Sequence, residues 1–411
     1  MSAVNRIAII GAGLAGDTAA AALREAGFTG AITIVGDEPH RPYDRPPLSK
    51  AALTTPEAAA KVFFRDASWY SGRNIDLVLG DAAVAIDASA HRVTLQSGVA
   101  IAYDKLLLAT GARARRLHLF EQSDAPLFYL RSLDDCAALR AILRPATPVA
   151  IVGAGVIGLE VAASAAALGC NVTVVELADR VMARSVSYSV SEFIAQYHRE
   201  KGVRVICGTR ISGITARGKA TTIELESGER LDVEAIIAGV GAEPAVELAR
   251  TAGLTVDDGI LVDRYTRTNH PDIHAAGDVA RFESLRNGRH VRAEHWRHAV
   301  DHARIAAQAM LGLDATYDEQ PWVWSDQYDL NIQITGESSG DAEITRGRPE
   351  DSAFVAFQLR EGRLVGAVSV NQPRFKKPIA DLVAARPVVD AALLADTCTD
   401  LKKLAVSLLT K

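Results

Sequence analysis

The chain has 411 residues, 48% of them hydrophobic, and a formal charge of −5. That length can bury a large core and divide into two or three domains, while the acidic balance argues against general affinity for nucleic acid or anionic membrane, which both require a basic surface. Met1 to Arg6 carries no signal-peptide pattern and no apolar run is long and charge-free enough to span a bilayer, so cytoplasm is the expected compartment.

Arg6 to Ile10 reads as a short apolar strand running into Gly11-Ala12-Gly13-Leu14-Ala15-Gly16, a G-x-G-x-x-G turn. The first glycine permits a tight turn and the second lets the backbone approach a pyrophosphate. The third lets the next helix pack closely, with its N-terminal N–H groups facing the anion. Asp17 to Ala26 follows as an Ala-rich helix closed by Gly27, and Ala31 to Val35 as the second parallel strand. Asp37, just beyond it, is the candidate for an adenosine ribose hydroxyl, against the plain alternative of a solvated turn. Pro39 to Lys50 is proline-rich and basic, which predicts an ordered loop, either lying over a phosphate or ring or crossing the surface.

From Ile75 to Ala102, apolar and polar residues alternate between turn signals, which predicts a small antiparallel sheet. Lys105 to Leu108 then reads as a buried strand ending in Ala109-Thr110-Gly111, a turn small enough for close approach. The opening pattern recurs at Pro148 to Val152, which leads into Gly153-Ala154-Gly155-Val156-Ile157-Gly158 and an Ala-rich helix to Leu168. The strand Asn171 to Glu176 ends in a carboxylate at the separation expected for a ribose contact. Two complete glycine motifs in one chain make coincidence a poor explanation.

Ser191 to Gly202 reads as a helix, Val203 to Val240 as short strands, and Gly239 closes the second unit. The chain then returns to the first domain through Gly259 to Asp263 and Ala276-Gly277-Asp278, where Asp278 either cradles a ligand hydroxyl or caps the next segment. Arg297 to Leu311 has helical periodicity. After Trp322-Val323-Trp324-Ser325-Asp326-Gln327, strand-like runs at 330–335, 353–359 and 364–370 and a helix over 401–409 predict a small α+β domain. Cys136, Cys170, Cys207 and Cys398 form no C-x-x-C pair, so neither a metal site nor a dithiol is expected, and redox chemistry would reside in an organic cofactor.

Taken in order, the first glycine motif, Arg45-Pro46-Pro47-Leu48-Ser49-Lys50, Ala109-Thr110-Gly111, the second motif ending in Glu160, Ala276-Gly277-Asp278 and the W-x-W-S-D-Q string resemble the FAD-dependent NADH:ferredoxin reductases of the putidaredoxin reductase and biphenyl-dioxygenase reductase family. The resemblance implies an α/β, glutathione-reductase-type fold with two Rossmann-like dinucleotide-binding domains and a C-terminal α+β domain. FAD would occupy residues 1–110 with 242–321, NADH residues 111–241, and 322–411 would form the C-terminal domain. Matching positions place Gly11, Gly13, Leu14, Ala15, Gly16, Asp37, Arg45, Lys50, Val84, Ala109, Arg131, Asp278 and Trp296 around FAD. They place Gly153, Gly155, Val156, Ile157, Gly158, Glu160, Glu176, Arg184 and Gly239 around the nicotinamide cofactor. Ala245 stands where relatives often carry asparagine, so it receives no side-chain role.

The implied reaction takes hydride from NADH and passes electrons singly to a [2Fe-2S] ferredoxin serving a haem-thiolate monooxygenase or a ring-hydroxylating dioxygenase. Lys50 and Glu160 would position the reacting rings, Glu176 would select NADH over NADPH, and Trp324 would be a planar bridge toward the ferredoxin or an ordinary packing wall. Arg281, Arg286, Arg289, Arg292, Arg297 and Arg304, with His290, His295, His298 and His302 among them, would steer an acidic partner or form a solvated face. A monomer is favoured. A disulfide reductase would need a cysteine pair near residues 39–50, where there is none; the rival from another class is an NADH-binding interaction protein resembling apoptosis-inducing factor.

Overall fold

A computed structural model describes residues 4–217, 220–285, 288–317 and 321–409. Backbone contacts divide the chain into two units: Met1–Asp44, Val62–Arg113 and Ala242–Glu319 form one, and Arg45–Lys61, Ala114–Gly241 and Gln320–Lys411 the other.

The first unit is built on a five-stranded parallel sheet in the order Ile273–Ala275, Lys105–Leu108, Arg6–Ile10, Ala31–Gly36, Ile75–Leu79. Its central strands are apolar almost throughout because both faces are covered. Ile7, Ile9 and Leu107 enter one core, and Ala8, Ile10, Leu106 and Leu108 enter another, as the strand alternation requires. The helices Leu14–Glu25 and Trp296–Met310 join the first core through Ala15, Ala19, Ala22, Ala299, Ala303 and Ala306. Side chains this small let the helix backbones lie close together over the sheet.

The predicted antiparallel sheet over 75–102 is corrected in part. Ile75–Leu79 is the parallel edge strand, in register with Ala31–Gly36. Ala83–Asp87, Arg92–Leu95 and Ala100–Ala102 form the antiparallel sheet. Side chains alternate between faces in parallel and antiparallel strands alike, so periodicity does not reveal a strand's direction.

The second unit repeats the parallel arrangement, in the order Arg204–Ile206, Asn171–Val175, Pro148–Val152, Ala235–Ala238, Leu127–Tyr129. The helices Val156–Ala167 and Tyr188–Glu200 follow its strands, and an antiparallel sheet of Ile211–Arg217, Ala220–Leu225 and Arg230–Val233 precedes Ala235–Ala238 in the chain. The stretch from Pro39 to Lys50, expected as an ordered loop, contains the 3₁₀ turn Pro46–Ser49, and the one-turn helix Ala51–Thr54 follows it. Here the prolines initiate the turn, where their missing N–H costs nothing.

The last part of this unit is an antiparallel sheet in the order Trp322–Gln327, Leu330–Gly336, Arg363–Val370, Ala353–Arg360, Ala342–Arg348. Helices Lys376–Ala385, Ala391–Ala395 and Leu401–Leu409 pack on it through Ile379, Leu382, Leu394 and Leu401. Sequence periodicity misses Ala342–Arg348, a largely solvated edge strand, and Lys376–Ala385, whose Pro378 lies in the first turn, where a helix tolerates it. Among the described residues no helix is long and apolar enough to cross a membrane.

Candidate functional site

In the first unit, Gly11 has φ +121°, and a Cβ there would lie 2.1 Å from the Ala109 carbonyl oxygen; one on Gly16 would lie 2.0 Å from the Gly11 oxygen. Both glycines are therefore required by the protein's own packing. Gly13 differs, because a Cβ on it would meet nothing within 4 Å. It begins the Leu14–Glu25 helix, whose first turn includes Leu14, Ala15 and Gly16.

Gly277, at φ +77°, brings Ala276–Asp278 against that same turn, where its Cβ would lie 3.0 Å from that of Ala15. Asp37 is exposed at the end of its strand, whereas the neighbouring Glu38 is engaged by the Tyr43 hydroxyl at 2.5 Å. The Trp296 indole N–H donates to Asp44 at 2.9 Å, and Val84 stands exposed at an irregularity of its strand.

The second unit repeats this construction. A Cβ on Gly153 would lie 2.5 Å from the Gly239 oxygen and one on Gly158 2.0 Å from the Gly153 oxygen, while one on Gly155 would meet nothing. Val156 and Ile157 open the following helix, with Ile157 exposed. The Glu176 carboxylate accepts the Ala154 and Ala178 N–H groups at 2.5 and 2.8 Å, which aims it at the glycine turn. Arg184 is exposed nearby in sequence, and Arg180 is committed elsewhere: its guanidinium donates to the Val186 and Ala183 carbonyls, both at 2.8 Å.

Glu160, one turn into the helix after this motif, is 3% exposed. The 3₁₀ turn over 46–49 presents Ser49 Oγ at 2.5 Å and Lys50 Nζ at 2.8 Å to its Oε2, and Lys50 also donates to the Pro46 carbonyl. Ser164 Oγ donates to the Ser49 carbonyl at 2.7 Å, fixing the turn to the helix. From the opposite side Ser325 Oγ donates to Glu160 Oε1 at 2.8 Å. A buried charge supplied with donors on both oxygens is satisfied, as such burial demands. Arg45, at the head of the turn, donates to the Arg131 carbonyl.

Sequence reasoning singled out Lys50 and Glu160 but missed Ser49 and Ser325, although both lie in the quoted strings. The pleat of Trp322–Gln327 explains the second string: Ser325 and Gln327 are fully buried, and Trp322 and Trp324 lie on the other face, ring centroids 5.2 Å apart and 18° from parallel.

The arginine stretch is not one basic face. Arg281 pairs with Asp257 at 2.6 Å, Arg292 with Glu294 and Asp258, Arg297 with Asp301, and Arg304 with Glu25 at 3.5 Å; Arg286 lies outside the described residues. His298 and His302 are buried beside Phe282 and Tyr317. Cys136 and Cys170 are buried, and burial pushes both thiols up.

Residues 5–303 match the pyridine nucleotide-disulphide oxidoreductase model and residues 322–405 the reductase C-terminal model. The chain belongs to the pyridine nucleotide-disulphide oxidoreductases. It is 41% identical over 376 residues, 92% of this chain and 95% of the other, to the 3-phenylpropionate/cinnamic acid dioxygenase ferredoxin–NAD(+) reductase component of Photorhabdus laumondii. Among solved structures, putidaredoxin reductase in its covalent complex with putidaredoxin superposes with a TM-score of 0.93 at 35% identity, covering 99% of each chain. The ferredoxin reductase for the CYP199A2 system from Rhodopseudomonas palustris gives 0.91 at 40% identity, covering 98% of this chain and 100% of that one.

This oxidoreductase accordingly has the glutathione-reductase-type fold and uses FAD and NADH. The residues fit such cofactors: at Gly13 and Gly155, no protein atom fills the space a side chain would take, each at a helix N-terminus whose N–H groups favour an anion.

Proposed function

We propose that this flavoprotein is an NADH:ferredoxin reductase that delivers electrons one at a time to a [2Fe-2S] ferredoxin of a haem-thiolate monooxygenase or a ring-hydroxylating dioxygenase. The observation that carries the proposal is the Lys50–Glu160 cluster, which ties the P-P-L-S-K turn, the second glycine-motif helix and the W-x-W-S-D-Q strand together through side-chain bonds. No cysteine lies near residue 50 in sequence to form the redox pair that a disulfide reductase requires.

Gly11 to Gly16, Asp37, Val84, Ala109, Asp278 and Trp296 are assigned to FAD, and Arg45, Lys50 and Arg131 are given flavin-side roles. Gly153 to Gly158, Glu176, Arg184 and Gly239 are assigned to NADH. When bound, the flavin supplies conversion between a two-electron donor and a one-electron acceptor. The chain's own contribution is positioning. Lys50 and Glu160, fixed by Ser49 and Ser325, orient the reacting groups and exclude water from between them. Glu176 accepts ribose hydroxyls and repels the additional phosphate of NADPH, with Arg180 tied to carbonyls and so not offering a compensating cation.

Trp324 is assigned to the electron path toward the partner. The partner is an acidic ferredoxin, met by a monomer in the cytoplasm. Stopped-flow reduction by NADH with a cognate ferredoxin present tests the reading. Rapid turnover supports it, and slow flavin reduction that ends in a long-lived charge-transfer complex would instead identify an NADH-controlled interaction protein.

A further inference from the structure

Beyond the Lys50–Glu160 pair, a line of fully buried polar side chains continues into the same unit. Gln327 Nε2 donates to Ser325 Oγ at 3.0 Å, and Gln327 Oε1 lies 2.9 Å from His198 Nε2 in the Tyr188–Glu200 helix. Ser325, Gln327 and His198 are each 0% exposed. A carbonyl oxygen can only accept, so Nε2 of His198 carries the proton, and Nδ1 faces the Tyr328 hydroxyl at 3.4 Å. Hydrogen bonds thus run in one direction: His198 donates to Gln327, Gln327 to Ser325, and Ser325 to Glu160.

The polarity matters because a serine hydroxyl has one proton and an amide has two different ends. With the ring protonated at Nδ1 instead, Nε2 of His198 would accept, and the Gln327 amide would turn over to donate to it. The turned amide would present oxygen to Ser325, whose hydroxyl would then donate to Gln327 instead of Glu160. Glu160 Oε1 would lose its donor, while the Lys50 and Ser49 contacts to Oε2 would remain. The other neighbour of the amide nitrogen, Met182 Sδ at 3.9 Å, is too weak an acceptor to hold the orientation.

We propose that His198 is a positioning residue for Glu160, acting through Gln327 and Ser325 to set the direction of the hydrogen bond that the carboxylate receives. The inference rests on reading Lys50 and Glu160 as the electron-transfer pair. Burial lowers the tendency of His198 to charge, the Gln327 bond opposing this less strongly, which agrees with a neutral ring.

Two measurements on the FAD-loaded protein test it. Ring-¹⁵N NMR at pH 8 should show His198 neutral and protonated at Nε2; protonation at Nδ1 overturns the proposal without reference to activity. In stopped-flow reduction by NADH, Ser325→Ala, which removes the donor to Glu160 Oε1, should slow flavin reduction by about 10-fold or more, the loss of one hydrogen bond to a charged group, and His198→Phe, which removes the N–H that holds the amide, should slow it by about fivefold or more. His198→Gln, which returns an N–H donor, should recover the rate to within about threefold, and His198→Phe should add no further slowing in a Glu160→Gln background. Equal slowing in both backgrounds, or no rescue by glutamine, overturns the proposal. If Lys50→Met leaves flavin reduction unchanged, the electron-transfer reading of the pair fails, a result distinct from the NMR outcome.

Discussion

Lys50 Nζ lies 2.8 Å from Glu160 Oε2, a pair closed across 110 residues of chain. The lysine is 19% and the glutamate 3% exposed, so the pair is only slightly screened by solvent. Lys50→Met leaves a buried carboxylate with only hydroxyl donors. It should cost about 1–3 kcal/mol of stability in denaturant unfolding and slow flavin reduction by NADH by about 10-fold or more. A variant with wild-type rate and NADH affinity would remove Lys50 from the reacting centre.

The glycines of the first turn separate packing from cofactor binding. Gly11→Ala sets a methyl against the Ala109 carbonyl at a positive φ, so the protein should be severely destabilised whether or not FAD is present. At Gly13 the φ of −88° suits alanine and the methyl meets no protein atom. Gly13→Ala should fold with the thermal stability of the flavin-free parent and yet be purified with little FAD. Normal flavin content in that variant would contradict the assignment of the turn.

Glu176→Ala should lower kcat/KM for NADH by about 10- to 100-fold, through lost ribose contacts and a loosened glycine turn. NADPH should gain less than about 10-fold, because Arg180 stays tied to the Val186 and Ala183 carbonyls. Steady-state assays with both nucleotides measure the ratio, and a wild-type protein that prefers NADPH would refute the reading.

Stability should fall in mild acid. His274 is buried, bonded to Thr266, and pushed down to about 4 chiefly by desolvation, with Lys105 adding to the effect. An unfolded histidine takes up its proton near pH 6.5, so between pH 6.5 and 4 the unfolded chain binds more protons and stability declines as pH falls. His274 alone accounts for about 3 kcal/mol of that decline. Burial lowers His198 in the same direction. Urea unfolding at pH 7 and pH 5 measures the loss, and His274→Gln should shrink the difference.

Trp324→Ala should leave NADH-driven reduction of a small dye within about twofold of wild type while slowing ferredoxin reduction more than about fivefold, if the ring lies on the partner side. Unchanged ferredoxin reduction would make the Trp322–Trp324 stack plain packing.

Much of this protein was legible from residue order. Glycine spacing, apolar strands and a terminal carboxylate are local features, so both dinucleotide folds and the role expected of Glu176 could be read from short windows. The quoted strings carried the family, and with it FAD and NADH. The direction of Ile75–Leu79 could not be read, because strand alternation is the same in parallel and antiparallel pairing.

Tertiary structure alone decided which side chains meet. His298 and His302 turn inward among aromatic rings, while neighbouring arginines find carboxylates, so a stretch that looks uniformly basic in sequence is divided by the helix face on which each residue falls. Ser49, Ser325, Gln327 and His198 are unremarkable residue types in sequence. They acquire a role because a turn and a strand pleat bring Ser49 and Ser325 to one buried carboxylate and the same strand and a helix line up Gln327 and His198 behind Ser325, where low dielectric and lack of water make each hydrogen bond's partner and direction matter.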